Sequence, residues 1–242
     1  MIPKSHPRYK SLKTRDDVVY GIRKGVTSIH GLIAHGRGEA FDYLIGEKTS
    51  EFARKSIGAS AALLLAAEYP LISVNGNAAI LAPKELVKLS KSLNAPLEIN
   101  IFHPSKQREI KIKKHLIKHG AKNALLPDKK TKIKYLESNR KFVNPEGILK
   151  ADAVFIPLED GDRVEALIKN GKKVVTIDLN PLSRTAQKAT ISIIDNITRA
   201  MPLLIKTIKQ YKKYNKSKLR KMMKNYDNKK TLEEAIRHIR KL

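Results

Sequence analysis

Residues Val154–Ala200 read VFIPLEDGDRVEALIKNGKKVVTIDLNPLSRTAQKATISIIDNITRA. Val154, Phe155 and Ile156 form a short apolar run stopped by Pro157, and Leu158–Asp162 is a turn crowded with carboxylates. Val164, Leu167 and Ile168 then fall at i, i+3 and i+4, a helical stripe that Asn170-Gly171 ends. Val174–Ile177 is a second buried strand, followed at once by the polar loop Asp178–Thr185. Ile191–Ile194 is a third, closed by Asp195-Asn196. This alternation predicts parallel strands joined by crossover helices. Ligands in such sheets bind beyond the carboxyl ends of the strands, the edge where all three polar loops fall.

The same grammar extends upstream. Leu71–Val74 reads as a strand followed by Asn75-Gly76-Asn77, Lys84–Leu93 as a helix, and Leu97–Phe102 as a strand. Pro104–His119 is a basic helix closed by Gly120, Asn123–Leu126 a further strand, and Asp128–Glu146 a polar connection. The expectation is an α/β fold in one domain, 1–242. Its Rossmann-like core, 70–200, holds a mostly parallel sheet of about six strands with helices on both faces. Residues 1–69 read as a helical N-terminal lobe. It has an extended arm at Ile2–Leu12, a helix capped by Thr14, a break at His35-Gly36-Arg37-Gly38, and a long helix capped by Thr49. Residues 201–242 supply C-terminal helices, the last opened by Thr231 in a capping-box pattern.

Composition narrows the function. At 41% hydrophobic and 30% charged, the 242-residue chain has the make-up of a globular domain. No apolar run reaches the roughly 18 residues of a membrane span, and MIPKSHPRYK lacks the apolar centre of a signal peptide. A cytoplasmic protein with no membrane partner is expected. The absence of Cys excludes disulfides, thiolate catalysis and Cys-bound zinc. The net charge of +26 raises the question of nucleic acid. Lysines spread over the helices and only 5% aromatics argue instead for small polyanions such as nucleotides and phosphoesters.

No Walker A loop, GxGxxG turn, HExxH or GxSxG is present. His35-Gly36-Arg37-Gly38 offers either an anion-facing guanidinium with backbone N–H groups or a plain interhelical turn with an exposed Arg. Asn75 and Asn77 offer amides for a carboxylate or hydroxyl, or ordinary turn chemistry. Glu159, Asp160 and Asp162 suit Mg²⁺ beside a triphosphate, or N-capping of the following helix. Asp178 ends a central strand where acids meet a ribose or metal, and Asn180, Ser183, Arg184 and Thr185 crowd its loop.

Six blocks carry a specific resemblance: IPKSHPRY (Ile2–Tyr9), GLIAHGRGEAFDYLIGE (Gly31–Glu47), SVNGN (Ser73–Asn77), PLEDGDR (Pro157–Arg163), TIDLNPLSR (Thr176–Arg184) and DNITRA (Asp195–Ala200). In this order they resemble the archaeal 4-phosphopantoate–β-alanine ligases, or phosphopantothenate synthetases. The segment Pro104–Asn144 carries no such block. The resemblance implies an ATP-dependent ligase, acting with Mg²⁺ in coenzyme A synthesis. It joins 4-phosphopantoate to β-alanine and releases AMP and diphosphate by way of an acyl-adenylate. It also implies a homodimer with a Rossmann-like sheet. Carried onto this chain, the ATP contacts fall on Arg15, Arg37, Asp178, Leu179, Asn180, Arg184, Thr185, Asn196 and Ile197. The expected roles are Arg15, Arg37 and His35 in catalysis, and Asn75, Asn77, Glu159 and Asp160 on the substrates. Asp160 and Asp162 are expected at the metal. The competing readings are another nucleotide-dependent α/β enzyme, such as a dinucleotide oxidoreductase, which the missing glycine fingerprint disfavours, and a basic nucleic-acid-binding protein.

Overall fold

A computed structural model describes residues 2–241. Five strands form a parallel sheet: β1 (Pro70–Val74), β2 (Leu97–Ile99), β5 (Ala153–Phe155), β6 (Lys173–Ile177) and β7 (Ile191–Ile193). Their spatial order is β2-β1-β5-β6-β7. Counted along the chain this is the doubly wound order 2-1-3-4-5, whose switch point lies between β1 and β5. The remaining two strands, β3 (Asp128–Lys132) and β4 (Phe142–Val143), form a separate antiparallel pair inside the segment read as a polar connection.

Alternation along the strands sorts side chains to two faces. Ile72, Val74, Phe155, Val175, Ile177 and Ile193 join one buried cluster, with residues of helices α3 (Glu51–Ala66), α5 (Pro83–Leu93) and α9 (Ile197–Tyr211). Leu71, Val154, Ile156 and Val174 join the other, against Val164 and Leu167 of α7 (Gly161–Lys169). With helices on both faces, the strands read as near-continuous apolar runs, as buried parallel strands do. Each fully buried aliphatic side chain contributes about 1.5–3 kcal/mol.

Several expectations are corrected. The strand expected at Asn123–Leu126 shrinks to one parallel bridge between Glu98 and Leu125. Pro127 follows, and its missing N–H ends the pairing. The arm at Ile2–Leu12 is helical from Tyr9, so α1 (Tyr9–Arg23) contains Thr14, whose hydroxyl donates to the Ser11 carbonyl at 2.8 Å. The Gly-flanked Arg37 does not break a helix. Instead α2 (Ile29–Leu44) runs straight through it. Two helical glycines cost roughly 1 kcal/mol each, which tertiary packing overrides. Ser50, not Thr49, precedes α3, and the Thr49 hydroxyl donates to Asp195 at 2.6 Å. The last helix, α11 (Asn228–Ile239), is capped by Asp227, which accepts from the Lys230 N–H at 3.1 Å, four residues before the expected cap Thr231.

Buried Glu98 ties β2 to the turn before β5. It accepts from the Asn144 N–H at 3.0 Å and the Ile148 N–H at 2.6 Å. A Cβ on Gly147 would lie 2.0 Å from its carboxylate oxygen, so only glycine fits there. Burial pushes the Glu98 carboxyl up to about 7. The native state therefore holds this proton more tightly than the unfolded chain. Its contribution to stability is full below the ordinary carboxylate range and is lost as pH rises through about 7. Urea unfolding at pH 5 and pH 7.5 should show this loss in the wild type. Glu98→Gln should be less stable at both values, with the smaller deficit at pH 7.5; a deficit that grows with pH would contradict the assignment.

Candidate active site

The carboxyl edge opens into a cavity of about 740 Å³, within the range of ligand pockets. Its walls come from the β5–α7 loop, the loop between β6 and the short helix α8 (Arg184–Lys188), the start of α9, one face of α2 and the N-terminal segment.

The β6–α8 loop folds on itself. Asp178 accepts from the Asn180 N–H at 2.9 Å and from the Ser183 hydroxyl, while Asn180 accepts from the Leu182 N–H at 2.8 Å. Ser183 in turn caps the short helix α8 (Arg184–Lys188). Burial raises the Asp178 carboxyl, and the Ser183 bond and the Arg37 charge counter it. Arg37 lines the cavity from α2 and has no carboxylate within ion-pair distance among the described residues. Gly38, one residue on, also lines the cavity, and a Cβ there would lie 3.5 Å from Leu179, an ordinary contact. His35 also lines the cavity; burial lowers its pKa, and its Nε2 is buried without a partner.

At the β7 end, Asn196 caps α9 by accepting from the Thr198 N–H, and its amide donates to Asp42 of α2 at 2.8 Å. Arg199 bridges Asp42 and Asp195. This cluster staples α2 to the sheet edge, which is how Arg37 comes to face Asp178.

The β5–α7 loop is held from below. Glu159 is buried and paired with both Arg140 and Arg163. Arg140 also donates to Asp160 at 2.9 Å and to Asn100 at 3.1 Å, while Arg163, fully buried, reaches Glu159 at 2.7 Å. Burial brings Arg163 down to about 10. Leu158 adopts a left-handed backbone (φ 55°), a strained state for a leucine. Both its carbonyl and that of Pro157 accept from the Asn75 side chain at 2.9 Å. Asp160 stays half exposed in the cavity wall; burial and the Glu159 charge raise its pKa.

The structure thus brings His35, Arg37, Asn77, Asp160, Asp178, Leu179, Asn180, Arg184, Thr185, Asn196 and Ile197 to one cavity, with Glu159 beneath. Arg15, Asn75 and Asp162 do not line it. Arg15 pairs with Glu39 at 2.7 Å, and Glu39 and Tyr43 together gather Arg8 as well. Asp162 lies in the first turn of α7. Thr185 spends its hydroxyl on the Glu159 carbonyl at 2.6 Å, and Arg184 pairs with Glu165. Asn77 is bonded through both amide atoms, accepting from Thr27 and donating to the Gly31 carbonyl.

The model of one protein family, described as phosphopantothenate/pantothenate synthetase, matches residues 52–242. The chain belongs to the phosphopantothenate/pantothenate synthetase family. Relatives extend the match through nearly the whole chain. A 4-phosphopantoate–β-alanine ligase of Thermococcus kodakarensis is 52% identical over 99% of this chain and 92% of its own length. The ligase of the same name from Methanosarcina mazei is 50% identical over 98% and 94%.

Within this synthetase, sequence reasoning missed Arg140, Asp42 and Arg199. Arg140 lies in the segment without a motif, and nothing in its neighbours marks it as buried. Asp42 and Arg199 sit inside quoted blocks, but their pairing spans most of the chain. The Arg140–Glu159–Arg163 arrangement makes Glu159 a scaffold carboxylate. Glu159→Gln leaves two buried guanidinium groups without a full counter-charge and should lower the unfolding free energy by about 3–5 kcal/mol. Equilibrium urea unfolding checks this; unchanged stability with a raised KM for the amine substrate would return Glu159 to substrate contact.

Proposed function

We propose that this synthetase condenses 4-phosphopantoate with β-alanine to give 4′-phosphopantothenate, with ATP converted to AMP and diphosphate. The observation that carries the reading, within the family assignment, is unpaired Arg37 facing the Asp178–Ser183 loop across the cavity. A guanidinium opposite a ribose-competent carboxylate, with the start of α9 beside it, matches the charge distribution of a nucleotide.

In this reading the nucleotide lies at the β6–β7 end. Asp178 shapes its loop through two hydrogen bonds and has acceptor capacity left for ribose hydroxyls. Arg37 meets the phosphates and offsets charge that builds as the substrate carboxylate attacks the α-phosphorus and diphosphate leaves. His35, kept neutral by burial, serves as a hydrogen-bonding group and not as a phosphate cation. The β-alanine nitrogen then attacks the activated acyl carbon and AMP leaves. Holding the two substrates in line supplies much of the rate, and no protein nucleophile is required. Arg15 acts from outside the cavity by fixing Glu39.

The donor set fits Mg²⁺, which takes one or two carboxylates together with substrate phosphates. Asp160 is half exposed in the wall, and among the described residues no trio of His, Asp or Glu forms a closed metal cage. Asp160 would hold the ion, which supplies charge neutralisation at the phosphates. Among the described residues no helix is long and apolar enough to cross a membrane.

A homodimer is supported by Ile29 and Ile33, which are 63% and 69% exposed one turn apart on α2. Adjacent apolar side chains left bare in this way suit a subunit interface.

Purified protein with ATP and Mg²⁺ should form AMP only when both 4-phosphopantoate and β-alanine are present. Arg37→Ala should lower kcat/KM by about 100-fold or more without changing the melting temperature; a loss of only a few-fold would sink the phosphate role. Light scattering at micromolar concentration should give twice the 27.2 kDa chain mass. A monomer there would contradict the dimer.

A further inference from the structure

One guanidinium at the carboxyl edge has no counter-charge and no role in the nucleotide half of the site. Arg108 lies in the first turn of α6 (Lys106–Lys118), and its backbone N–H donates to Ser105 at 3.2 Å. The side chain reaches back from the β2–α6 connection to the turn after β1. Its Nη2 lies 2.9 Å from where a Cβ on Gly76 would stand, although the Val26 carbonyl, at 2.7 Å from the same point, is what demands the glycine. Nη1 donates to the His103 carbonyl at 3.2 Å, and Nε is buried with no partner. Among the described residues no carboxylate lies within ion-pair distance of it. The neighbouring charge is another cation, Arg140, and burial together with that charge lowers the Arg108 pKa. His30 packs against His103, whose carbonyl Arg108 uses, with ring centroids 4.7 Å apart and the planes tilted by 38°.

A half-buried cation beside a like charge is costly unless an anion joins it. The chain supplies none, so the anion comes from outside. The position says which one. Neighbouring parallel strands lie about 4.8 Å apart, so β1 stands about 10 Å from β6 and about 14 Å from β7. The nucleotide occupies the β6–β7 end, and the acid substrate must bring its carboxylate to the α-phosphorus. Its other end therefore points toward β1 and β2, where Asn77 lines the cavity and Gly76 meets Arg108.

We propose that Arg108 binds the phosphate of the acid substrate, a phosphorylated carboxylic acid, at the β1–β2 end of the carboxyl edge. The inference rests on the ligase reading above. A phosphomonoester dianion matches the planar fork of Arg. Arg108 would then make the enzyme discriminate phosphorylated from unphosphorylated acid.

The test is steady-state kinetics of full-length wild type, Arg108→Gln and Arg108→Lys, with 4-phosphopantoate or unphosphorylated pantoate as the acid. For Arg108→Gln, KM for 4-phosphopantoate should rise about 30-fold or more, while KM for ATP and for β-alanine stays within about threefold. The preference for 4-phosphopantoate over pantoate should fall by a similar factor, a change that loss of packing alone would not produce. Arg108→Lys keeps the charge without the fork and should raise the same KM about fivefold. It carries the test by itself if the Gln variant fails to fold. An unchanged KM and an unchanged acid preference in a folded variant overturn the proposal while leaving the ligase reading intact. No 4-phosphopantoate-dependent AMP from the wild type overturns both.

Discussion

Glu159 sits beneath the cavity wall between two buried arginines, and that triad fixes the geometry around it. Arg140 comes from the β3–β4 excursion and Arg163 from α7, so one carboxylate joins three parts of the chain. Buried ion pairs of this kind add little net stability, because desolvation offsets attraction, but they tolerate few alternative arrangements. The result is a β5–α7 loop held in one conformation, strained Leu158 included, with Asp160 presented to the cavity. Arg163 keeps Nε and Nη2 without partners, so its desolvation is compensated only in part.

The arginines around the edge divide by what they meet. Arg15, Arg140, Arg163, Arg184 and Arg199 each meet a carboxylate of the chain. Their charges are consumed in holding α1, α2, α7 and α8 against the sheet. Arg37 and Arg108 meet none, and they stand toward opposite ends of the strand edge. The large positive net charge is therefore a poor guide to where an anion binds, and the two unpaired guanidinium groups are the basis of the phosphate roles proposed above. Lysines spread over exposed helical faces raise the net charge without focusing it.

The parallel core was legible because buried parallel strands are short apolar runs, and Val154–Ile156, Val174–Ile177 and Ile191–Ile194 are such runs. The loops after them were legible as a ligand edge for the same topological reason, and Asp178, Asn180 and Asn196 gather there. Glycine misled the reading of α2: Gly36 and Gly38 look like a break, yet long-range ties through Asp42 and Glu39 carry the helix through. Those ties join residues distant in sequence, and periodicity is blind to them. The β3–β4 pair was illegible because its strands are polar and brief, with Asp128–Lys132 reading DKKTK. Asn75, expected on the substrate, instead spends its amide on the loop beside it and does not line the cavity.

Gly147 and Glu98 press against each other so closely that neither position is free to drift alone. Any side chain at 147 needs the acid at 98 to shorten or withdraw, and a shorter acid abandons the two N–H groups it now satisfies. Among descendants of this sequence the two sites should therefore change as a linked pair or not at all. The region between them, which carries Arg108 and Arg140, can vary in length and charge only between those two fixed anchors.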